Sequence, residues 1–148
     1  MKTNKNLKPL IGYTTGVFDL FHVGHVNILR NAKSLCNKLI VGVSTDKLVK
    51  MKLKKSIIPF NERIQIVQSC KYVDVALPQT SVNKLTEWKK LKFDILFVGD
   101  DWYKDKKWTH YENEFKTHKV RVVYFPYTKG TSSTLINKTL KDLRKKTK

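Results

Sequence analysis

Gly16-Val17-Phe18-Asp19-Leu20-Phe21-His22-Val23-Gly24-His25 is the stretch that decides the fold of this 148-residue chain. A short apolar segment of strand character, residues 10–15, precedes it. Residues 25–36 follow it and place apolar side chains three to four positions apart, as on one face of a helix. Strand, loop and helix in this order bring two histidines to a helix start, where free N–H groups and the helix dipole attract anions. Because Gly24 lacks a Cβ, a phosphate can approach the backbone closely.

The alternation of strands and helices continues beyond this stretch. Apolar runs of strand length occupy residues 38–44, 73–77 (closed by Pro78), 93–98 and 120–125, with helical patterns at 59–70, 82–91, 108–118 and 132–144. Such alternation predicts an α/β, three-layer Rossmann-like fold with a parallel sheet of about five strands flanked by helices. We expect one domain over residues 1–148, with its core at about 10–140, a basic tail at 141–148 and fraying at residues 145–148. Ligands should bind at the carboxyl ends of the strands.

The charge of the chain narrows the class of partner. Lysine and arginine total 30 against 12 acidic residues, a net charge of +18 that attracts anions. Only four residues are arginine, the side chain that most often reads base edges, so small phosphorylated substrates are favoured over a specific nucleic acid. No stretch approaches the roughly 20 apolar residues needed to span a bilayer, and we expect a cytoplasmic protein.

The two motif histidines admit other interpretations, namely a zinc pair or two structural side chains. Zinc needs further ligands, whereas His110 and His118 lie in a different predicted element with no cysteine nearby. The two cysteines are too few and too far apart for a disulfide framework or a cysteine-rich metal site. The order of strand, loop, histidines and helix favours binding of phosphate.

These residues resemble the cytidylyltransferase family, within the wider nucleotidyltransferase superfamily that carries the HxGH motif. Further blocks match in order and spacing over roughly residues 10–140: Ser44-Thr45-Asp46, Asn61-Glu62-Arg63, Tyr72-Val73-Asp74, Gly99-Asp100-Asp101-Trp102 and Thr128-Lys129-Gly130-Thr131-Ser132-Ser133-Thr134. The chain most resembles compact bacterial members that act on glycerol 3-phosphate. The resemblance implies that CMP passes from CTP to that acceptor, giving CDP-glycerol and pyrophosphate. It also implies Mg²⁺ carried with the nucleotide without a dedicated protein site, and a homodimer with residues 71–74 as a candidate contact.

The resemblance also implies roles for individual residues. Those expected to be catalytic are His22, His25, Lys54 and Arg63. Those expected to bind the nucleotide are Val17, Phe18, Asp19, His22, Gly24, His25, Lys54, Gly99, Asp101, Tyr127, Thr128, Gly130, Thr131, Ser132, Ser133 and Thr134. Those expected to bind the acceptor are Lys52, Arg63 and Lys84.

Each of these residues also has a simpler interpretation. The lysines fit a solvated face, and Arg63 fits a surface ion pair with Glu62 or Asp46. Asp101 and the hydroxyls at 131–134 fit ordinary helix capping. Trp102 either lines the base pocket or packs its loop.

One block departs from the family pattern. Where the family carries an arginine and a glutamate, this chain has Tyr127 and Lys129. We hypothesise that Lys129 restores positive charge near the phosphates. Phosphoethanolamine, phosphocholine or another sugar or polyol phosphate is an alternative acceptor, and ATP is an alternative nucleotide. A nucleic-acid-binding module without catalysis is the competing class, and membrane-surface association of the helix at 135–148 is a third.

Overall fold

The computed structural model describes residues 7–147, apart from the side chain of Asp101. Its strands are β1 (Ile11–Gly16), β2 (Lys38–Ser44), β3 (Val75–Gln79), β4 (Ile95–Gly99) and β5 (Arg121–Phe125). Its α-helices are α1 (Val23–Ser34), α2 (Asp46–Met51), α3 (Phe60–Ser69), α4 (Lys84–Leu91), α5 (Lys106–Thr117) and α6 (Ser133–Lys146), and a 3₁₀ turn spans Asp100–Trp102.

All strand pairs are parallel, in the order β3-β2-β1-β4-β5. Two apolar clusters cover the two faces of the sheet. One packs Leu29 of α1 and Val67 of α3 against the sheet, and the other packs Trp88 of α4 and Phe115 of α5 against the opposite face. The predicted three-layer arrangement with a parallel sheet is therefore confirmed.

The strand order reverses beside β1. The chain runs outward through β2 and β3, then returns to the other side of β1 for β4 and β5. The loops after β1 and β4 diverge at this point and leave a crevice at the carboxyl edge of the sheet, where open α/β sheets bind their ligands.

Several boundaries differ from the sequence prediction. Helix α1 begins at Val23 rather than His25, because His22 is its N-cap. The strand predicted to end before Pro78 runs from Val75 to Gln79 and contains that proline. This is possible because β3 lies at the edge of the sheet, where the N–H groups on its outer side have no neighbouring strand to bond.

Two segments are more helical than the sequence indicates. The segment after β2 begins with α2, which is capped by the hydroxyl of Thr45 and is too short to show a periodic pattern. Fraying was expected over residues 145–148, but α6 continues as far as Lys146, and Lys148 lies outside the described residues. None of the helices in the described range combines the length and apolar character needed to cross a membrane.

Candidate active site

A cavity of about 530 Å³ opens at the carboxyl edge of the sheet, where β1 and β4 end. No carboxylate is among the described residues that line it. The lysines that line it are Lys52, Lys54, Lys84 and Lys107, and His25 also lines it. A cavity with this lining favours an anion by its electrostatic potential.

Both histidines of the motif accept a backbone hydrogen bond through Nδ1. His22 accepts from the N–H of Gly24 at 3.1 Å, and His25 accepts from the N–H of His22 at 3.2 Å. An imidazole nitrogen that accepts a hydrogen bond carries no proton, so each neutral ring holds its proton on Nε2. Each ring therefore has one N–H group to offer to a phosphate oxygen.

The surroundings favour the neutral form of both rings. Burial lowers the pKa of His22. Burial and then the neighbouring His22 lower the pKa of His25 to about 4. The ring centroids are 3.9 Å apart, so a second positive charge would be strongly disfavoured. The histidines can contact phosphate as hydrogen-bond donors rather than as cations.

The lack of a side chain at Gly24 leaves room for the ring of His22. A Cβ at this position would lie 2.8 Å from Cε1 of His22, closer than side chains approach one another. The glycine between the histidines therefore has a structural reason besides the close approach of phosphate expected from the sequence.

The loop between β1 and α1 is held in an unusual conformation. Phe18 and Leu20 have left-handed backbones, with φ of 53° and 49°. Such conformations persist only where the surroundings impose them. The carboxylate of Asp19 is one constraint, because it accepts from the N–H groups of Ile57 and Ile58 at 2.8 and 2.9 Å. Asp19 thus holds the loop, and its direct contact with nucleotide stays a prediction.

The start of α6 lies beside the start of α1. The side-chain amide of Asn27 donates to the hydroxyl of Thr128 at 3.0 Å, and the hydroxyl of Ser133 donates to the carbonyl oxygen of Asp19. Ser132 is the N-cap of α6. Two helix N-termini, each with a partial positive charge, therefore flank the motif loop.

The lysines of the cavity differ in burial. Lys84 is only 9% exposed, and its Nζ donates to the hydroxyl of Thr15 at 2.6 Å. Burial and the charge of Lys52 lower the pKa of Lys84 to about 8. Lys52 and Lys54 lie at the exposed rim, where partial desolvation and the charge of Lys54 lower the pKa of Lys52. A bound anion would relieve the repulsion among these ammonium groups.

Arg63 is fully buried and lies beneath the cavity instead of lining it. Its Nε donates to Ile58 O at 2.8 Å, and its Nη1 donates to Val17 O at 2.6 Å and Ser44 O at 2.8 Å. Its Nη2 pairs with Asp46 at 2.8 Å. The ion pair with Asp46 was one alternative; it forms, but between a fully buried guanidinium and a half-exposed carboxylate. Arg63 joins three loops, and its contact with a substrate phosphate stays a prediction.

An aromatic wall lines the cavity; the sequence offered Trp102 as one candidate for it but missed the part that α5 supplies. Trp108 and Tyr111 of α5 line it together with Trp102 from the 3₁₀ turn. Trp102 and Trp108 have ring centroids 6.1 Å apart, and Trp108 and Tyr111 have centroids 5.4 Å apart. The spacing of Trp108 and Tyr111 predicts one helix face, but only the fold brings that face to the cavity.

Some of the predicted site residues line the cavity, and others do not. Those that line the cavity are Phe18, His25, Lys52, Lys54, Lys84, Gly99 and Tyr127. Those outside its lining are Val17, Asp19, His22, Gly24, Arg63, Thr128, Gly130, Thr131, Ser132, Ser133 and Thr134. The side chain of Asp101, expected to recognise the base, lies outside the described residues.

The side chains around the cavity indicate how a Mg²⁺ ion would be held. No group of three or more metal-ligating side chains occurs in the described part of the chain. The nearby carboxylate of Asp19 already accepts from three backbone N–H groups. These residues fit a Mg²⁺ ion that the phosphates of a nucleotide carry, since this ion keeps several waters and few protein ligands.

Comparison with known proteins identifies the family of the chain. The model of a family described as cytidylyltransferase-like matches residues 13–139. Glycerol-3-phosphate cytidylyltransferase of Staphylococcus aureus (strain NCTC 8325 / PS 47) is 34% identical over 135 residues, which cover 90% of this chain and 96% of that protein. FAD synthase of Archaeoglobus fulgidus is 37% identical over 94 residues, which cover 64% of this chain and 68% of that protein.

A solved structure also resembles this fold. The lipopolysaccharide core biosynthesis protein from Thermoplasma volcanium GSS1 superimposes with a TM-score of 0.70 at 25% sequence identity, covering 84% of this chain and 100% of that chain.

Proposed function

Because the chain belongs to the cytidylyltransferase-like family, we propose that it transfers CMP from CTP to glycerol 3-phosphate, giving CDP-glycerol and pyrophosphate. That it is an enzyme of the nucleotidyltransferase type follows from the family and its relatives. The observation that carries the proposal is the cavity lined by His25, Lys52, Lys54 and Lys84, with no carboxylate among the described side chains that line it. Two anions must be brought together for this reaction, and this lining favours both.

The geometry suggests how the reaction proceeds. A phosphate oxygen of the acceptor attacks the α-phosphorus of CTP in line, and the bond from that phosphorus to the bridging oxygen breaks as pyrophosphate leaves. No enzyme nucleophile is required, so catalysis rests on positioning and stabilisation of charge. The Nε2–H groups of His22 and His25 donate to the triphosphate, Lys52 and Lys84 hold the acceptor phosphate, and Lys54, which lines the same cavity, contacts the nucleotide. Mg²⁺ carried with the nucleotide would neutralise part of its charge.

A release assay for pyrophosphate tests this proposal. Four nucleoside triphosphates are crossed with glycerol 3-phosphate, phosphoethanolamine, phosphocholine and flavin mononucleotide, and a His22→Asn/His25→Asn double variant reports contaminating activity. We expect CTP with glycerol 3-phosphate to give the highest kcat/KM. If no pair of nucleotide and acceptor releases pyrophosphate, the proposed reaction is refuted. If only pairs with ATP release it, the choice of CTP is refuted.

A second candidate is a transferase that acts on a phosphate with a flat ring system. Relatives named FAD synthase are 34–37% identical to this chain. The aromatic wall of Trp102, Trp108 and Tyr111 beside the lysines would suit such an acceptor. The glycerol 3-phosphate reaction remains the proposal because that relative matches more of this chain than the Archaeoglobus protein does. Activity with ATP and flavin mononucleotide would favour the second candidate.

Lys129→Ala tests whether Lys129 compensates for the family arginine that Tyr127 replaces. Lys129 is exposed, so its attraction to a phosphate is screened. We expect a rise of about two- to fivefold in KM for CTP, as for an exposed charge pair, with the effect shrinking as salt is added. Lys116→Ala, the same charge change at the far end of α5, is the control. An unchanged KM for CTP would contradict the compensation.

The homodimer remains a proposal as well. We place its contact near residues 71–74, beside the edge strand β3. Sedimentation equilibrium measures the association state directly, and a monomer at all concentrations would refute it.

A further inference from the structure

A buried carboxylate on α4 lacks a full set of partners. Glu87 is only 5% exposed, and its Oε1 accepts no hydrogen bond from any residue in the described range. Its Oε2 receives one long hydrogen bond, 3.4 Å from the hydroxyl of Tyr13. Burying a carboxylate with so few donors costs free energy unless a positive charge lies near it.

The nearby positive charge is Lys84, which stands three residues earlier on the same face of α4. Both side chains are buried, and the carboxylate of Glu87 attracts the ammonium group of Lys84. The two do not form a direct ion pair, because Nζ of Lys84 turns to the hydroxyl of Thr15 at the cavity. Glu87 therefore lies behind Lys84 and outside the cavity lining.

Apart from Glu87, the described groups around Lys84 carry positive charge or none. Lys52, from the segment after α2, repels it, and Lys54 in turn repels Lys52. From α5, Lys107 and Tyr111 line the same cavity. From β1, Tyr13 keeps its proton, since burial and Glu87 both raise its pKa.

The position of Glu87 depends on neighbouring strands. Tyr13 reaches it across the face of β2, where a Cβ on Gly42 would lie 2.5 Å from the tyrosine hydroxyl. Glycine at this position therefore leaves room for the hydroxyl that contacts Glu87.

We propose that Glu87 is a positioning residue, the buried counter-charge that keeps the ammonium group of Lys84 charged and available to the phosphate of the acceptor. The inference rests on the proposed function, in which Lys84 binds that phosphate. Burial and Lys52 draw the pKa of Lys84 down to about 8 even with Glu87 present. Removing the carboxylate disfavours the charged form further, so the loss of positive charge would begin at a lower pH.

Glu87→Gln tests this with little change in shape. The expected result is an alkaline rise in KM for glycerol 3-phosphate whose midpoint, near pH 8 in the unmodified protein, moves down by about one pH unit. The value of kcat at saturating acceptor, and KM at pH 6.5, should stay near those of the unmodified protein. Glu87→Asp keeps the charge and should give a midpoint between the two.

Two further variants make the result specific. Glu112→Gln is the matched control, because Glu112 accepts from Tyr124 in a second tyrosine–glutamate pair outside the cavity lining. It should leave the midpoint unchanged. Lys84→Arg should remove the alkaline rise altogether, since a guanidinium keeps its charge, and this test holds even if Glu87→Gln fails to fold.

Calorimetric binding of inorganic phosphate over the same pH range separates this inference from the proposed function. It reports the charge at Lys84 even if no substrate pair turns over. An unshifted midpoint in Glu87→Gln, an equal loss of affinity at every pH, or an alkaline rise that survives Lys84→Arg would each overturn the inference.

Discussion

His22→Asn and His25→Asn should each lower kcat/KM for CTP by about 10²–10³-fold, the usual cost of removing one donor to a developing charge. Asparagine Oδ1 occupies nearly the place of histidine Nδ1 and can accept the same backbone hydrogen bond at the start of α1. Asparagine has no group where Nε2–H donates. The substitution therefore separates the capping of the helix from the contact with phosphate. Pyrophosphate release and thermal unfolding measure the two effects.

Alanine variants and an unrelated histidine complete this experiment. His22→Ala removes the N-cap as well as the donor, so it should lose about 1 kcal/mol of stability in addition to turnover. His110→Asn, on the exposed side of α5, should change neither quantity. Turnover retained in both single asparagine variants would refute the assignment of the histidines as donors.

Arg63→Met should lower the free energy of unfolding by about 3 kcal/mol or more, because a buried acceptor left without its donor costs about 1–3 kcal/mol. The substitution removes the donor from three carbonyl oxygens, of which that of Ser44 is buried and those of Val17 and Ile58 are partly buried. Asp46 loses the guanidinium that, after the N–H of Phe60, lowers its pKa. Urea denaturation followed by circular dichroism measures the loss.

A matched substitution and a lysine variant sharpen the second prediction. Arg30→Met, at an exposed position on α1, should change stability by less than about 0.5 kcal/mol. Arg63→Lys should recover only part of the loss, because an ammonium group cannot reproduce the planar set of donors. Unchanged stability with lost turnover would instead favour the direct phosphate contact implied by the family resemblance.

Whether a feature could be predicted from the sequence depended on how far apart in the chain its interacting residues lie. The strand, loop and helix around His22 and His25 could be predicted because their periodicity and their capping bonds join residues at most four apart. The boundary at His22 was missed because histidine seldom serves as an N-cap, and the sequence shows no serine or aspartate there. The short helix α2 left no pattern long enough to detect.

The burial of Arg63 could not be predicted, because its hydrogen bonds reach Val17, 46 positions away, and Ser44, 19 positions away. An arginine near the start of a helix gives the same sequence pattern whether its side chain is buried or exposed. Similarly, Glu87 reads as an ordinary charge of an amphipathic helix. Its unpartnered oxygen follows from the packing of α4 on β1 and β2.

By itself the sequence determined the alternation of elements, the parallel sheet and the loop from Gly16 to His25, because these depend on local hydrogen bonding and on the periodic burial of apolar side chains. The tertiary structure alone decided which charges share the cavity. Lys52, Lys84 and the aromatic wall of α5 lie on separate segments that meet only where strand order reverses beside β1. Burial then set which of those charges is tuned most, since desolvation lowers the pKa of Lys84, the most buried lysine of the cavity.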